Sequence, residues 1–109
     1  MQIKTLPIFD KKLKSLAKKN PNLKKDFIEF VDNLRKNPKD AIYIKESVYK
    51  IRVKNSANNK GKSAGYRVYY FYKDANGILV LLYIYTKQEF SNLPNEILDE
   101  LIKECKALI

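Results

Sequence analysis

The sequence predicts an α+β fold in which helices pack on one face of an antiparallel sheet, in the order (β)ααβββα. Two observations support this order. Apolar residues recur at helical spacing near both ends of the chain, whereas the middle shows alternating or continuously apolar runs typical of strands. With 109 residues and a hydrophobic content of 45%, residues 1–109 are expected to form one domain with a real core.

The first third of the chain predicts a short strand and a helical hairpin. Residues 2–7 can form the strand, which Pro7 ends. One helix follows from Ile8 and stops at the NPN run of residues 20–22; a second begins near Pro21 or Asn22 and stops at the KNPKD run of residues 36–40. The two apolar stripes are Phe9, Leu13, Leu16 and Ala17, and then Leu23, Phe27, Phe30, Val31 and Leu34.

The middle of the chain predicts three strands. VYKIRVK alternates apolar and basic residues, which indicates a half-buried strand with a basic outer face. A polar loop at residues 55–65 leads to YRVYYFYK, a turn at residues 74–77, and the apolar run ILVLLYIY of a central strand. In the first strand the apolar positions are Tyr49, Ile51 and Val53, and the basic ones are Lys50, Arg52 and Lys54.

The C-terminal segment predicts an amphipathic helix. In SNLPNEILDELIKECKALI, one side can carry Ile97, Leu98, Leu101, Ile102, Cys105 and Leu108. With all helices on one side of the sheet, the other face would be open to solvent. We expect Lys50 and Arg52 to point toward that open face.

The charge is strongly positive and unevenly distributed. The net charge is +10, and residues 48–73 hold seven basic side chains and no acidic one. Such a surface favours a polyanionic partner, most simply nucleic acid, although charge can also serve solubility alone. Lysines and arginines interleaved with tyrosines suit RNA, because phosphates pair with the cations and bases stack on the rings.

The residue inventory excludes several chemistries. The chain has no histidine and one cysteine, so a His/Cys metal site, a Cys–His dyad and an intramolecular disulfide are impossible, and no cofactor is expected. Cys105 reads as a packing residue. No apolar run is long enough to span a membrane and no signal peptide is evident, so the expected location is the cytoplasm.

RNA can be cleaved without a metal when its own 2′-OH attacks the neighbouring phosphate. The reaction needs a base, an acid and positive charge near the phosphorane. Lys50, with Arg52 and Arg67 as neighbours, is one candidate base. Glu89 is another, and a plain salt bridge is the structural alternative for that carboxylate.

Several segments together resemble the RelE/HigB family of type II toxins, within the RelE/ParE superfamily. They are YKIRV, a basic glycine-containing loop, GYRVYYFY, an apolar strand and YTKQEFSNL. The similarity spans residues 49–93 and is closest to the HigB-like branch. It implies a microbial-ribonuclease-type fold and metal-independent cleavage of translated mRNA on the ribosome, with consequent inhibition of translation.

The resemblance also implies site residues. Lys50 and Arg52 match the basic pair of the second strand of the family pattern, Arg67 matches the phosphate-stabilising arginine, and Lys87 matches the lysine after the last strand. RelE has an arginine and a tyrosine where this chain has Gln88 and Pro94, so the proton donor is open, with Lys87 the candidate. The catalytic prediction is thus Lys50, Arg52, Arg67 and Lys87; the RNA-binding prediction is Lys54, Lys60, Lys62, Tyr69 and Glu89.

The implied partners are a cognate antitoxin with a helix-turn-helix or an acidic segment, mRNA and the small ribosomal subunit. The free toxin is expected to be monomeric and away from membranes. Two other functions stay open from the sequence. One is a toxin of the same fold that poisons gyrase, as ParE-like proteins do; the other is a plain RNA- or ribosome-binding module.

Overall fold

The computed structural model describes residues 1–57 and 65–109. They form three helices and five strands in the order βααββββα. The elements are β1 (Gln2–Thr5), α1 (Pro7–Lys19), α2 (Leu23–Lys36), β2 (Ile42–Lys45), β3 (Val48–Val53), β4 (Tyr66–Lys73), a 3-10 turn (Asp74–Asn76), β5 (Ile78–Thr86) and α3 (Asn95–Leu108). This is an α+β fold, as predicted, and every predicted helix and strand is present.

The ends of α1 follow from local sequence. Pro7 opens the helix, a position where its missing N–H costs nothing because the first turn has no acceptor for it. At the other end Asn20 stops the helix and its side-chain amide donates to the carbonyl of Leu16 at 3.0 Å. The same carbonyl also accepts from the Asn20 backbone N–H at 3.0 Å, so Asn20 closes the last turn of α1 with both its backbone and its side chain.

Strand β2 was not predicted. It forms a tight hairpin with β3 through Glu46 and Ser47, whose φ angles are 48° and 67°. Two-residue turns of this kind are usually marked by Asn-Gly or Asp-Gly, because those residues tolerate positive φ. Here the turn is held by contacts instead: the Tyr43 hydroxyl accepts from the Ser47 amide, and Lys106 pairs with Glu46 at 2.9 Å.

The sheet is mixed and not wholly antiparallel. Its strand order is β1-β5-β4-β3-β2, and β1 runs parallel to β5 while the other neighbouring pairs are antiparallel. The first strand therefore joins the edge of the strand that comes last in the chain. This places β5 inside the sheet, as its continuous apolar run predicts.

Helices cover both faces of the sheet, so the expectation of one open face is wrong. We call the face that packs against α1 and α2 the hairpin face, and the face that packs against α3 the α3 face. The hairpin face buries Val53, Val68, Tyr70, Leu79 and Leu81 with Phe9, Leu23, Phe30 and Leu34 of the two helices. The α3 face buries Val48, Tyr69, Phe71, Val80 and Leu82 with Leu98, Leu101, Ile102 and Cys105 of α3.

A one-residue bulge in β5 changes which side chains share a face. Tyr69 pairs with Tyr83 and Tyr70 pairs with Leu81, which leaves Leu82 without a partner in β4. Strict alternation from Leu81 would put Tyr83 on the hairpin face. The extra residue instead returns Tyr83, and Tyr85 after it, to the α3 face.

The loop between β3 and β4 is described only at its two ends. At the start, the buried carboxylate of Asp26 accepts from the amide and the hydroxyl of Ser56, at 2.9 and 3.1 Å. At the end, a Cβ on Gly65 would come within 2.0 Å of the Val53 carbonyl oxygen, so only glycine fits this close approach. Lys60 and Lys62, both predicted to bind RNA, lie outside the described residues.

None of the three helices in the described part of the chain is long and apolar enough to cross a membrane.

Candidate nucleic-acid interface

The alternation predicted for β3 is present. Tyr49, Ile51 and Val53 pack on the hairpin face. Lys50 and Arg52 have the opposite parity and therefore lie on the α3 face. On that face Val48 is buried with residues of α3, and the basic residues follow it along β3.

Arg67 joins the two basic residues of β3 on this face. It is the direct partner of Arg52 in the β3–β4 register, and directly opposed residues point to the same side of a sheet, with Cβ atoms roughly 5 Å apart. Lys50 is likewise opposite Tyr69. We call Lys50, Arg52 and Arg67 the basic cluster.

Arg67 is the most unusual member of the basic cluster. Its side chain is only 6% exposed, and its Nη1 has no hydrogen-bond partner among the described residues. Within residues 1–57 and 65–109, no ion pair includes Arg67, Arg52 or Lys50. A buried guanidinium without a counter-ion is costly, and a second guanidinium opposite raises that cost. This arrangement favours binding of an anion.

Tyr85 completes the surroundings of Arg67 on the side of β5. The two residues are register partners, and Tyr85 is fully buried with a hydroxyl that has no partner among the described atoms. Burial, together with the neighbouring Tyr69, raises the pKa of the Tyr85 hydroxyl, so it stays protonated at neutral pH. It is thus a neutral donor beside Arg67. The sequence could not identify it, because its face depends on the bulge at Leu82.

The segment between β5 and α3 closes over this row of residues. Phe90 packs edge-on against the ring of Tyr85, with centroids 5.8 Å apart. Asn92 accepts from Lys50 Nζ at 2.7 Å, and the amide of Leu93 donates to the Tyr69 hydroxyl at 3.4 Å. Asn92 is a further residue of the interface that the sequence analysis missed.

Tyr69 is enclosed and the carboxylate of Glu89 is occupied by other side chains, which differs from their predicted RNA-binding roles. Tyr69 is 3% exposed, so stacking on a base would require the segment of residues 90–93 to move. Glu89 uses both carboxylate oxygens: one pairs with Lys12 Nζ at 2.5 Å and the other accepts from the Tyr83 hydroxyl at 3.2 Å. The structural alternative for Glu89, a salt bridge, is the arrangement present. Both RNA-binding assignments stay predictions.

Lys12, on α1, was not among the predicted site residues. Besides pairing with Glu89, its ammonium lies 5.2 Å from the centre of the Tyr83 ring. Burial raises the pKa of the Tyr83 hydroxyl, which therefore donates its proton toward Glu89 at neutral pH. Lys12 and Glu89 are 77 positions apart in the chain, and no local pattern connects them.

Lys54 and Lys87 lie at one end of the sheet. Val53, Tyr66 and Thr86 are aligned across β3, β4 and β5, so the exposed Lys54 and Lys87 each follow a strand at this end. Both are placed beyond the basic cluster, on the same end of the sheet as Arg67. The structure thus brings four predicted cations to one end: Arg52, Arg67, Lys54 and Lys87.

The site has a charged surface but no group of metal ligands. No set of three acidic, histidine or cysteine residues is close enough to hold an ion within the described ranges. One acidic residue of α3, Asp99, pairs with Lys45 of β2 at 2.7 Å. The arrangement can therefore supply cations and hydroxyl donors to a bound anion.

No family model matches the chain. A search of curated proteins likewise finds no match.

Proposed function

We propose that this protein is an RNA-cleaving toxin of the type II kind, a metal-independent endoribonuclease that acts on translated mRNA. The observation that carries the proposal is the opposed pair of Arg52 and Arg67, with Arg67 buried and its Nη1 without a partner among the described residues. A phosphodiester between the two guanidinium groups would supply a negative charge with which both can pair. The similarity of YKIRV, GYRVYYFY and YTKQEFSNL to RelE/HigB toxins supports the choice of mRNA as the substrate.

The proposed reaction is a transesterification within the RNA. The 2′-oxygen forms a bond to phosphorus while the bond from phosphorus to the 5′-oxygen breaks, leaving a 2′,3′-cyclic phosphate. The 2′-OH proton passes to a base, for which the neutral form of Lys50 is the candidate. Arg52 and Arg67 stabilise the charge that develops on the phosphorane, and Lys87 protonates the leaving 5′-oxygen.

The partners follow from the same proposal. A toxin of this kind would work on mRNA held by the small ribosomal subunit and would be neutralised by a cognate antitoxin. The high positive charge predicts that the antitoxin carries acidic residues at the contact.

The test is cleavage of a reporter mRNA in a translating extract. Wild type should produce cuts that primer extension maps within codons, and Arg67→Ala should abolish them. Arg35→Ala is the matched control, because Arg35 is an exposed arginine on α2 that donates to the Met1 carbonyl. Cleavage at the wild-type rate by a folded Arg67→Ala variant would contradict the proposal.

A second function, RNA binding without cleavage, is favoured by one observation. Glu89, one of the two candidate bases, is occupied by Lys12 and Tyr83, and the other candidate, Lys50, donates to Asn92. Under this function the basic cluster only binds the phosphate backbone. Wild type would then leave the mRNA intact, and RNA binding would weaken steeply with salt. Arg67→Ala would lower the salt slope by about one.

A further inference from the structure

The outer edge of β3 is only partly covered. Strand β2 pairs with it from Val48 to Lys50, and no described residue pairs with the outer side of Ile51–Val53. Unpaired strand edges are templates for another strand, because their N–H and C=O groups still need partners. Ile42 is the first residue of β2 and pairs with Lys50, so the unpaired stretch of β3 begins at the next residue, Ile51.

A groove of about 740 Å³ runs along this open edge, between α2 and β3. Its floor is apolar and belongs to the hairpin face, with Phe30, Leu34 and Ile51 as members. One end is formed by Ile42, which is 59% exposed. An apolar floor beside a free strand edge is the arrangement used by proteins that bind extended peptides by adding a strand.

The two sides of an added strand would meet different chemistry. Side chains on its inner side would lie in the groove, against the apolar floor and beneath α2. Glu29 on α2 and Asp40 in the connection between α2 and β2 also line the groove, and their charges disfavour acidic groups there. Side chains on the other side would lie beside Lys50 and Arg52, because neighbouring strands share the same two faces.

We propose that this groove binds an extended segment of a partner protein as a sixth strand, with apolar and acidic residues in alternation. The apolar residues fill the groove, and the acidic residues pair with Lys50 and Arg52 on the α3 face. Charge complementarity selects this occupant: neither cation has an ion-pair partner in the described part of the chain. A polar or basic segment would leave them unneutralised.

Such a segment would also regulate the basic cluster. An acidic side chain next to Arg52 lies across β3 from Arg67 and would occupy the position proposed for the RNA phosphate. Strand binding and RNA binding are therefore mutually exclusive. This regulatory step rests on the proposed function, whereas the peptide site itself does not.

The test uses a short fluorescent peptide in which valine and glutamate alternate, titrated into the whole protein and followed by anisotropy. Asn33 is exposed on α2 and lines the groove, so Asn33→Trp should fill the groove without touching the basic residues. We expect this variant to bind at least about tenfold more weakly than wild type. Asp32→Trp is the matched control: Asp32 is an exposed neighbour that does not line the groove, and this variant should bind like wild type.

A peptide with lysine in place of glutamate should bind at least about tenfold more weakly to wild type. NMR of wild type with the valine–glutamate peptide should shift the amide signals of Ile51–Val53. Absence of binding, equal binding by Asn33→Trp, or equal binding of the lysine peptide would each overturn the proposal. A wild-type dimer that Asn33→Trp converts to monomer would also overturn it, by making a second copy the occupant.

Competition separates the peptide site from the proposed function. The valine–glutamate peptide should displace a labelled RNA oligonucleotide from wild type. If the peptide binds and RNA stays bound, the regulatory step is wrong and the strand site stands. If the protein binds no RNA at all, the proposed function fails while the Asn33→Trp comparison still decides the strand site.

Discussion

Arg52 and Arg67 face each other directly across β3 and β4, and the second of them is almost completely buried. Two opposed guanidinium groups on one face repel each other, and the described residues provide no carboxylate to either. Among the described residues the pair has no counter-ion, so we expect an anion bound between the two side chains to stabilise it.

Anions should stabilise the protein through this pair. Phosphate at roughly five times its Kd should raise the free energy of unfolding of wild type by about 1 kcal/mol. In Arg67→Met that gain should disappear, because the variant lacks the positive charge that binds phosphate. Methionine is also unbranched, so the packing around position 67 should be largely kept. Thermal melts with phosphate, against sodium chloride at equal ionic strength, measure the difference. Arg35→Met serves as control, and equal stabilisation of all three proteins would contradict the anion site.

Without added anions, Arg67→Met should be at least as stable as wild type. Replacing a buried unpaired charge by an apolar side chain removes a desolvation cost. Urea unfolding in a low-salt buffer measures this. A loss of more than about 2 kcal/mol would mean that Arg67 has a structural partner.

Glu89→Gln distinguishes a structural from a catalytic carboxylate. Its pairing with Lys12 is partly exposed, so the change should lower the free energy of unfolding by less than about 1 kcal/mol. Cleavage in the translating extract should stay within about twofold of wild type, whereas loss of a general base costs about 10²–10⁴ in rate. A double-mutant cycle with Lys12→Ala would show whether the stability effect comes from the pair. A large loss of cleavage with an unchanged unfolding curve would make Glu89 the base.

Removing the hydroxyl group should change the free energy of unfolding differently at two buried tyrosines. Tyr70 donates to the Pro38 carbonyl at 2.6 Å, so Tyr70→Phe should cost about 1 kcal/mol in urea unfolding. The Tyr66 hydroxyl is buried without a partner among the described residues, so Tyr66→Phe should be neutral or stabilising. Equal losses in the two variants would mean that Tyr66 has a hydrogen-bond partner.

Gly65 should be far less replaceable than Gly77. A methyl group at Gly65 would overlap the Val53 carbonyl and force β3 and β4 apart, so Gly65→Ala should cost about 3 kcal/mol in urea unfolding. Gly77 has a φ of 59° but open space around it, so Gly77→Ala should cost only about 1 kcal/mol of backbone strain. The reverse order would show that the start of β4 can shift away from Val53.

Cys105 should be unreactive in the folded protein. Burial raises the pKa of its thiol to about 11, and the thiolate is the species that attacks an alkylating reagent. Iodoacetamide labelling at pH 8, followed by mass spectrometry, should therefore be slow in buffer and fast in denaturing urea. In the folded protein the rate should rise as the pH approaches 11. Rapid labelling at pH 8 without urea would show that α3 detaches easily.

Much of the local structure could be predicted from the sequence, because it depends on neighbours in the chain. The alternation of Lys50 and Arg52 with apolar residues specified a strand and its two sides. Arg67 was expected to be a neighbour of Lys50 and Arg52, and the β3–β4 register places it directly opposite Arg52. Helical spacing specified α1, α2 and α3 for the same reason.

Features that depend on distant contacts could not be predicted. The turn at Glu46 and Ser47 lacks glycine and is held by Tyr43 and Lys106, so β2 carried no turn signal. An amphipathic helix shows that it has an apolar side but not which face of the sheet it covers, so α3 was assigned to the wrong face.

The sequence by itself determined the α+β class, the helices, four of the strands and the basic alternation of β3. Only the tertiary structure decided that Arg67 is buried opposite Arg52, that Glu89 is paired with Lys12, and that the bulge at Leu82 brings Tyr85 to the side of Arg67. The physical reason is the separation along the chain of the residues that determine each feature. Periodicity acts over a few residues, whereas burial, pairing and register are set by segments that meet only in the folded chain.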